Sequence, residues 1–251
     1  MNVIHAAILG IIEGLTEFLP ISSTAHMIMG ARVMSLPQTE FLKFFEVFIQ
    51  IGAIAAVLFL YFKKFFDIKI IKQLLASFIP TAVIGFLLYK IIKTIFFESN
   101  VLISASLIVV GIIFILVERM NLKETKSIAG MTFGAAVLIG IAQSLAVIPG
   151  VSRAGIVILA MMLMGYKRNE AAQYSFMLAL PTLAAAALLD VIKMRDMRLS
   201  GTEIEMVLVG TGVAFIVAYF SMKWFVEFLQ KKKLTGFGVY RIVVGILALV
   251  A

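Results

Sequence analysis

Residues 13–26 read Glu13-Gly-Leu-Thr-Glu17-Phe-Leu-Pro-Ile-Ser-Ser-Thr-Ala-His26 and set carboxylates, hydroxyls and an imidazole inside a strongly apolar part of the chain. Such groups are costly in a bilayer and are tolerated there mainly where they pair or have a function. Glu13 and Glu17 are four residues apart and therefore share one face of a helix. Pro20 cannot continue that helix without the loss of a backbone hydrogen bond. The run thus predicts a helix that carries two acids and breaks at a polar turn.

The residues after the proline predict a second short helix rather than one clean span. Ser22, Ser23 and Thr24 are residue types that cap a helix start, which puts His26 in the first turn of the second helix. A bilayer crossing needs about 20 helical residues, and both pieces are shorter. Irregular backbone at membrane depth is tolerated where it is buried in protein or lines a cavity. We therefore expect a re-entrant helix pair. Its two pieces are residues 3–19 and residues 24–34.

The composition indicates an integral membrane protein. Of the 251 residues, 62% are hydrophobic and 14% are charged, and the mean hydropathy is +1.09. A soluble domain carries about 25% charged residues. The apolar runs are long and lack period-two alternation, which favours spanning helices over a β-barrel. The formal net charge is +8. In a membrane protein such an excess of basic residues usually lies in cytoplasmic loops that contact anionic headgroups, and it also suits an anionic substrate. We expect membrane lipids as partners and no nucleic acid.

Six longer apolar segments follow the first turn and are candidate membrane spans. They cover residues 43–62, 70–92, 101–117, 171–192, 204–223 and 238–251. Four basic loops lie on one side if the 24–34 piece returns to the side from which it came, and the positive-inside rule makes that side cytoplasmic. The loops hold Lys63, Lys64 and Lys69; Arg119, Lys123 and Lys126; Lys167 and Arg168; and Lys231, Lys232 and Lys233. A fifth basic loop, with Lys193, Arg195 and Arg198, would lie outside.

The first motif has an internal counterpart about 130 residues later. This stretch reads Gln143-Ser-Leu-Ala-Val-Ile-Pro149-Gly-Val-Ser152-Arg153-Ala-Gly155, and its Pro149-to-Ser152 spacing matches Pro20 to Ser23. Three spans follow each turn, and an odd number of spans per half forces the second half to insert upside down. We expect an all-α integral membrane protein and a single membrane domain over residues 1–251. It would hold two inverted-topology repeats, about 1–120 and about 128–251, each a re-entrant helix pair plus three transmembrane helices. The first pair would open outward and the second inward.

The first motif supports more than one kind of chemistry. Glu13 and Glu17 can hold a divalent cation, Mg²⁺ or Ca²⁺, through their oxygens, or one of them can act as a general base. His26 can activate a hydroxyl or a water. The simpler interpretation is that the acids form intramembrane hydrogen bonds or relay protons in a carrier. The hydroxyls of Ser22, Ser23 and Thr24 would then only cap a helix.

The second motif predicts an anion site. Gly150 allows close backbone approach, and Ser152 can cap a helix whose free N–H groups and positive dipole end face the turn. Arg153 adds a planar fork that suits phosphate oxygens, unless it snorkels or pairs structurally with a glutamate. If the two motifs meet, the combined set suits phosphoryl transfer, where positioning and charge neutralisation dominate catalysis. Elsewhere, Glu46 and Gln50 can support the first motif, and Tyr240-Arg241 is typical of an interfacial anchor.

Both motifs resemble the two signature motifs of the undecaprenyl-pyrophosphate phosphatases, the bacitracin-resistance family. Further similar positions are Phe45 to Gln50, Gly165, Ser175-Phe176, Pro181 and Tyr240-Arg241, so the similarity spans essentially the whole chain. The resemblance implies hydrolysis of undecaprenyl diphosphate to the monophosphate carrier and phosphate. That reaction recycles the carrier for cell-wall synthesis and confers bacitracin resistance. It also implies a divalent cation and a site on the extracytoplasmic side of the plasma membrane.

By the resemblance, the functional positions of the family correspond to Glu13, Glu17, Ser23, His26, Ser152 and Arg153. We expect Glu13 and Glu17 to hold the metal, Ser23 to attack or to position the attacking water, and His26 to shuttle the proton. Arg153 and the helix start at Ser152 would neutralise charge, and Ser22, Thr24 and Gly150 would contact the substrate. Family members commonly carry Ser where this chain has Ala154 and Thr where it has Val157, so two hydroxyls are missing here.

One alternative function remains in view, and a further class of phosphatase is excluded. Inverted repeats with broken helices are the usual design of secondary transporters, so a polyprenyl-phosphate flippase or carrier is the alternative. The other membrane class of lipid phosphatase expects a second histidine followed closely by an aspartate, and neither His5 nor His26 has that context. The sequence leaves the prenyl chain length and the oligomeric state open.

Overall fold

The computed structural model describes residues 1–91, 100–193 and 198–250, and ten α-helices form the framework of this part of the chain. They are α1 (Val3–Thr16), α2 (Ser23–Val33), α3 (Glu40–Tyr61), α4 (Ile68–Ile91), α5 (Asn100–Arg119), α6 (Phe133–Gln143), α7 (Arg153–Leu163), α8 (Arg168–Lys193), α9 (Gly201–Lys231) and α10 (Thr235–Val250). Short 3-10 turns extend α3 over Phe62–Phe66 and α6 over Ser144–Val147. The predicted all-α class is confirmed.

Five helices of the described chain are long and apolar enough to cross a membrane: α3, α4, α5, α8 and α9. Large apolar side chains lie on the outside of these helices. Phe59, Phe86 and Leu208 are 68%, 77% and 67% exposed. An apolar surface of this kind is typical of contact with lipid chains. The chain is therefore a multi-pass helical membrane protein, as its composition predicts.

The sixth predicted span, residues 238–251, falls on an apolar helix that is shorter than these five. It corresponds to α10, which has 16 residues. At 1.5 Å per residue such a helix is about 24 Å long, whereas the hydrocarbon core of a bilayer is about 30 Å thick. α10 instead packs along α5. The predicted spans 70–92 and 238–251 end at residues 92 and 251, and both of these residues lie outside the described part of the chain.

Helix α1 ends at Thr16 instead of continuing to residue 19. Pro20 has no N–H for the Thr16 carbonyl, and a residue before proline is driven away from the α conformation. Glu17 still keeps helical dihedral angles, φ −64° and ψ −40°. Its N–H donates to the Glu13 carbonyl at 2.9 Å. Glu13 and Glu17 therefore share one face, as predicted, although the regular helix has already ended.

The four basic loops gather at one end of the bundle. Arg168, in the α7–α8 connection, pairs with Glu118 at the end of α5. Lys69 Nζ donates to the Ala129 carbonyl at 2.5 Å, which joins the α3–α4 and α5–α6 connections. Lys233 Nζ, from the α9–α10 connection, donates to the Glu118 carbonyl at 3.5 Å. The prediction that these loops share one side is confirmed.

The opposite end gathers the N-terminus, the α2–α3 connection and the start of α9. A cavity of about 390 Å³ there is lined by residues that include Met1, Leu36 and Ser200. Arg32, near the end of α2, donates to Asn100 Oδ1 at the start of α5 at 2.7 Å. The predicted outer basic loop leads into this end. Of that loop, Arg195 and the side chain of Lys193 lie outside the described residues.

Helix packing is reciprocal between the first five helices and the last five. α1 packs on α9, and its counterpart α6 packs on α4, the counterpart of α9. The counterpart pairs α3–α8 and α5–α10 pack on each other. α5 and α10 approach each other closely at Gly111 and Gly238. A Cβ added to Gly111 would lie 2.7 Å from the Gly238 carbonyl oxygen, and a Cβ added to Gly238 would lie 2.7 Å from the Gly111 carbonyl oxygen. A side chain at either position would force this pair apart.

The predicted register between the two turns is wrong by one residue. α2 begins at Ser23 and α7 at Arg153. The residues before them, Ser22 and Ser152, have φ values of 73° and 71°. Ser22 therefore corresponds to Ser152, and Ser23 to Arg153. The prolines do not align, because the second turn has one more residue between its proline and this serine. That turn includes Gly150 in the left-handed conformation, with φ 92°.

Candidate active site

Glu17 joins the two motifs. It lies in the turn after α1, and its side chain is buried. Its Oε2 accepts a hydrogen bond from Ser23 Oγ at 2.5 Å, within the first motif. Its Oε1 accepts from Arg153 Nη2 at 2.8 Å, across 136 positions of the chain. The structure thus brings three predicted site residues into direct contact.

Arg153 is held by the second half of the chain as well. Its Nη1 donates to the Ser175 carbonyl of α8 at 2.8 Å, and its guanidinium lies 5.8 Å from the centre of the Phe18 ring. Ser152 Oγ accepts from the Gly155 N–H at 3.2 Å and so caps α7, as predicted. Loss of one partner of a buried ion pair typically costs about 3–5 kcal/mol. The Glu17–Arg153 pair is therefore important for joining the two turns as well as for any chemistry.

Two further carboxylates lie near this pair. Glu13 is buried and interacts electrostatically with Glu17 and Glu46. One oxygen of Glu13 and one of Glu46 are buried without a hydrogen-bond partner. A buried acceptor without a partner is costly, and carboxylate oxygens are the preferred ligands of hard cations such as Mg²⁺ and Ca²⁺. By chemical type, these oxygens are donors that a divalent cation could use. No group of three His, Cys, Asp or Glu side chains with metal-site geometry occurs among the described residues.

His26, which the sequence predicts to activate a hydroxyl or a water, forms its hydrogen bonds with other groups than Ser23. Its Nδ1 lies 2.8 Å from the Ser22 carbonyl and its Nε2 lies 2.8 Å from the Tyr240 hydroxyl. Because a carbonyl only accepts, Nδ1 carries the proton, and in the neutral ring Nε2 accepts from Tyr240. The two rings are also stacked, with centroids 5.6 Å apart. The Ser23 hydroxyl donates its hydrogen bond to Glu17 and not to His26.

The remaining predicted residues have mainly structural contacts. Ser22 stands at the N-cap of α2 without a side-chain cap bond, so the predicted cap is not formed there. Thr24 is half-buried in the first turn of α2. Gly150 does approach a backbone closely, since an added Cβ would lie 2.5 Å from the Ile103 carbonyl oxygen. That backbone belongs to α5, so close packing against α5 already accounts for a glycine at position 150.

Arg241 is not the interfacial anchor that the sequence predicts. The side chain is fully buried in α10. Its Nη1 donates to the Pro20 carbonyl at 2.9 Å, and its Nη2 donates to the carbonyls of Gly150 at 2.6 Å and Val151 at 3.1 Å. The prediction failed because Arg241 lies on the face of α10 that is buried against the rest of the bundle, whereas Val243 and Leu247 on the other face are exposed. An arginine several residues into an apolar helix is itself a signal of function, and it could have identified this residue.

The family model for bacitracin resistance protein BacA matches residues 6–247. The chain belongs to this family. Among similar proteins, the undecaprenyl-diphosphatase of Sulfurihydrogenibium sp. is 46% identical over 250 residues, which cover 98% of each chain. The undecaprenyl-diphosphatase of Campylobacter fetus is 45% identical over all of this chain and 99% of its own. That of Aquifex aeolicus is 43% identical over 96% of this chain and 95% of its own. The resemblance drawn from the motifs is confirmed.

The two positions that depart from the BacA-family motif lie inside the protein. Ala154 and Val157 are both fully buried in α7. Val157 belongs to the main hydrophobic core. The apolar side chains at these positions therefore contribute packing where family members commonly have hydroxyls.

Proposed function

We propose that this protein hydrolyses undecaprenyl diphosphate to undecaprenyl phosphate and inorganic phosphate. The observation that carries the proposal is the continuous contact from Ser23 through Glu17 to Arg153, which unites both BacA-family motifs. It places a hydroxyl, an acid and a guanidinium at one buried point. The names of the most similar relatives supply the substrate class. The product would return to cell-wall synthesis as the lipid carrier, and this recycling would confer resistance to bacitracin.

We also propose that residues 1–251 form a single membrane domain of two inverted-topology repeats, about 1–120 and about 128–251. Reciprocal helix packing supports this, as does the shared positive φ of Ser22 and Ser152. Each repeat would comprise a re-entrant pair and three transmembrane helices, with α10 as a short third helix. The basic end would be cytoplasmic. The first re-entrant pair would then open to the extracytoplasmic side of the plasma membrane.

In the proposed reaction, Glu17 is the base for Ser23. As Ser23 Oγ attacks the terminal phosphorus, its proton passes to Glu17 Oε2, which already accepts its hydrogen bond. The new Oγ–P bond forms while the bridging P–O bond breaks, and undecaprenyl phosphate leaves with the bonding electrons. Water then attacks the phosphoserine: its oxygen bonds to phosphorus as the Oγ–P bond breaks, Ser23 Oγ takes its proton back from Glu17, and the proton lost by the water stays on the released phosphate. In the alternative path, Ser23 only orients a water that attacks directly, and trapping of a phosphoserine distinguishes the two.

Arg153 and Ser152 neutralise the phosphate in this proposal. Terminal phosphate oxygens would take over the Nη2 hydrogen bond of Arg153 that now goes to Glu17. That exchange frees the Glu17 carboxylate to act as a base. The helix start at Ser152, with Gly150, Ser22 and Thr24 around it, would complete the phosphate contacts through N–H and hydroxyl groups.

His26 would move protons between the site and the surface. Its Nε2 faces the hydroxyl of Tyr240, which is 43% exposed. Glu13 and Glu17 would hold a divalent cation, Mg²⁺ or Ca²⁺, with the orphan oxygen of Glu46 nearby. When bound, such a cation neutralises phosphate charge, and sites of this type are completed by substrate oxygens and water.

Phosphate release from detergent-solubilised protein tests the function. With undecaprenyl diphosphate and Mg²⁺ or Ca²⁺, we expect multiple turnovers, and removal of the cation by EDTA should abolish them. A flippase or secondary transporter needs two compartments and releases no phosphate in detergent. Absence of release with either cation present, while the protein transports the lipid in vesicles, would overturn the proposal in favour of that alternative.

A further inference from the structure

Arg241 connects the two re-entrant turns through one guanidinium. Its Nη1 bonds to Pro20 in the first turn and its Nη2 to Gly150 and Val151 in the second. The two nitrogens of a planar fork have a fixed separation, so the bonds constrain how far apart the turns lie. Lysine has a single nitrogen and cannot impose such a constraint.

The carbonyls that Arg241 binds are those that a broken helix leaves free. Pro20 and Gly150 interrupt their helices, and their carbonyls lie where water does not reach. A buried carbonyl without a donor is costly at membrane depth. Hydrogen bonds from an ionised donor are roughly twice as strong as neutral ones. No carboxylate of the described chain forms an ion pair with Arg241. Its hydrogen bonds go to these turns, and its guanidinium also lies 5.8 Å from the centre of the Phe114 ring of α5.

The same turns carry the reacting groups. Glu17 and Ser23 flank Pro20, and Arg153 follows Gly150 and Val151. The Glu17–Arg153 contact of 2.8 Å therefore crosses the junction that Arg241 bridges. A relative shift of the turns would separate these groups while leaving each half intact.

We propose that Arg241 is a positioning residue that sets the relative position of the two turns and so aligns Arg153 with Glu17 and Ser23. It does not touch the phosphate. The inference rests on the proposed phosphatase function for its kinetic consequences, whereas its geometric consequence is independent of that function.

The kinetic test uses Arg241→Lys, with Arg168→Lys as the matched control. Arg168 is a partly buried arginine that pairs with Glu118 and Glu124 at the basic end, away from the two turns. Misplacement of catalytic groups by about 1 Å can cost about 100-fold in rate, so we expect a loss of that size in kcat for Arg241→Lys with little change in KM. The rate is expressed per folded molecule, and Arg168→Lys should retain the wild-type kcat. An unchanged kcat in Arg241→Lys would overturn the proposal.

A double-mutant cycle separates positioning from general stabilisation. If Arg241 acts through Arg153, then Arg241→Lys should cost less than about threefold in the Arg153→Lys background, because coupled residues are not additive. Full multiplication of the two losses would mean that Arg241 acts independently of Arg153 and would contradict the proposal.

A distance measurement tests the junction without any activity assay. The chain contains no cysteine, so spin labels can be placed specifically on Val33→Cys at the end of α2 and Leu163→Cys at the end of α7. Both side chains are exposed. We expect a shifted or broadened distance distribution in Arg241→Lys and in Arg241→Met, and the wild-type distribution in Arg168→Lys. An unchanged distribution in both Arg241 variants would refute the positioning role even if the phosphatase assignment stands. If the distribution changes but wild-type protein releases no phosphate, only the proposed function fails.

Discussion

At Glu17, one carboxylate oxygen accepts from Ser23 and the other from Arg153, so a single residue connects the proposed nucleophile to the arginine that we propose to bind phosphate. This arrangement keeps both motifs in contact at the point where charge would develop during phosphoryl transfer. It also explains why the site needs an arginine. Two separate nitrogens of Arg153 serve Glu17 and the Ser175 carbonyl.

Arg153→Lys retains the charge but loses the fork. A lysine nitrogen cannot serve both acceptors at their present positions, so we expect kcat/KM to fall about 100-fold or more, as for loss of an oxyanion-type donor. Steady-state kinetics on undecaprenyl diphosphate measures this. Arg119→Lys, an exposed arginine at the basic end, is the control and should behave as wild type. Kinetics of Arg153→Lys equal to those of the control would remove Arg153 from phosphate binding.

Ala154→Ser restores a hydroxyl that family members commonly carry. Serine adds only one oxygen atom to alanine, so the change in side-chain volume is small. We therefore expect a folded enzyme with activity equal to or above that of the wild type, measured as phosphate release per folded molecule. Inactivation would show that the buried position tolerates no oxygen and that this half of the site packs differently from its relatives.

The two helix breaks differ in construction although they serve equivalent positions. The first is a turn that contains Pro20, while the second combines a 3-10 turn, Pro149 and a left-handed Gly150. In both turns a serine with positive φ precedes the short helix. Such a conformation is strained for a residue with a side chain and persists only where the surroundings enforce it.

Gly150→Ala tests the second break. The left-handed φ alone costs about 1–3 kcal/mol for alanine, and the new Cβ would lie 2.5 Å from the Ile103 carbonyl oxygen. We expect a clearly lower unfolding temperature in detergent together with lost activity. Gly134→Ala in α6 is the control, because an added Cβ there meets nothing within 4 Å. Equal unfolding temperatures for both variants would show that the turn is not under this constraint.

For the whole molecule, the sequence predicted the membrane class, the shared side of the basic loops and the convergence of the two motifs. Those features follow from hydropathy, charge and spacing, which are local properties. The roles of His26 and Arg241 could not be predicted in this way. Each depends on a contact between distant segments, His26 with Tyr240 and Arg241 with Pro20 and Gly150. The one-residue error in the alignment of the two turns has a similar cause, because the spacing of residues in a motif does not reveal the backbone conformation at Gly150.

The orientation of the whole molecule is directly testable. In a cysteine-free chain, Gln38→Cys lies at the end that we propose to be extracytoplasmic, and Lys232→Cys lies at the basic end. Both positions are exposed. We expect a membrane-impermeant maleimide to label Gln38→Cys in intact cells and Lys232→Cys only after the cells are permeabilised. The reverse pattern would place the first re-entrant pair on the cytoplasmic side.

The central claim is that Glu17 is the base of a phosphatase site built from both motifs. The most direct measurement is metal-dependent phosphate release from undecaprenyl diphosphate by the wild type and by Glu17→Gln. Glutamine can still accept from Ser23 or Arg153 but cannot take a proton, so we predict folded protein whose kcat falls by about 10²–10⁴-fold. Glu40→Gln, at an exposed glutamate on α3, should keep the wild-type rate. Wild-type turnover by Glu17→Gln would contradict the account.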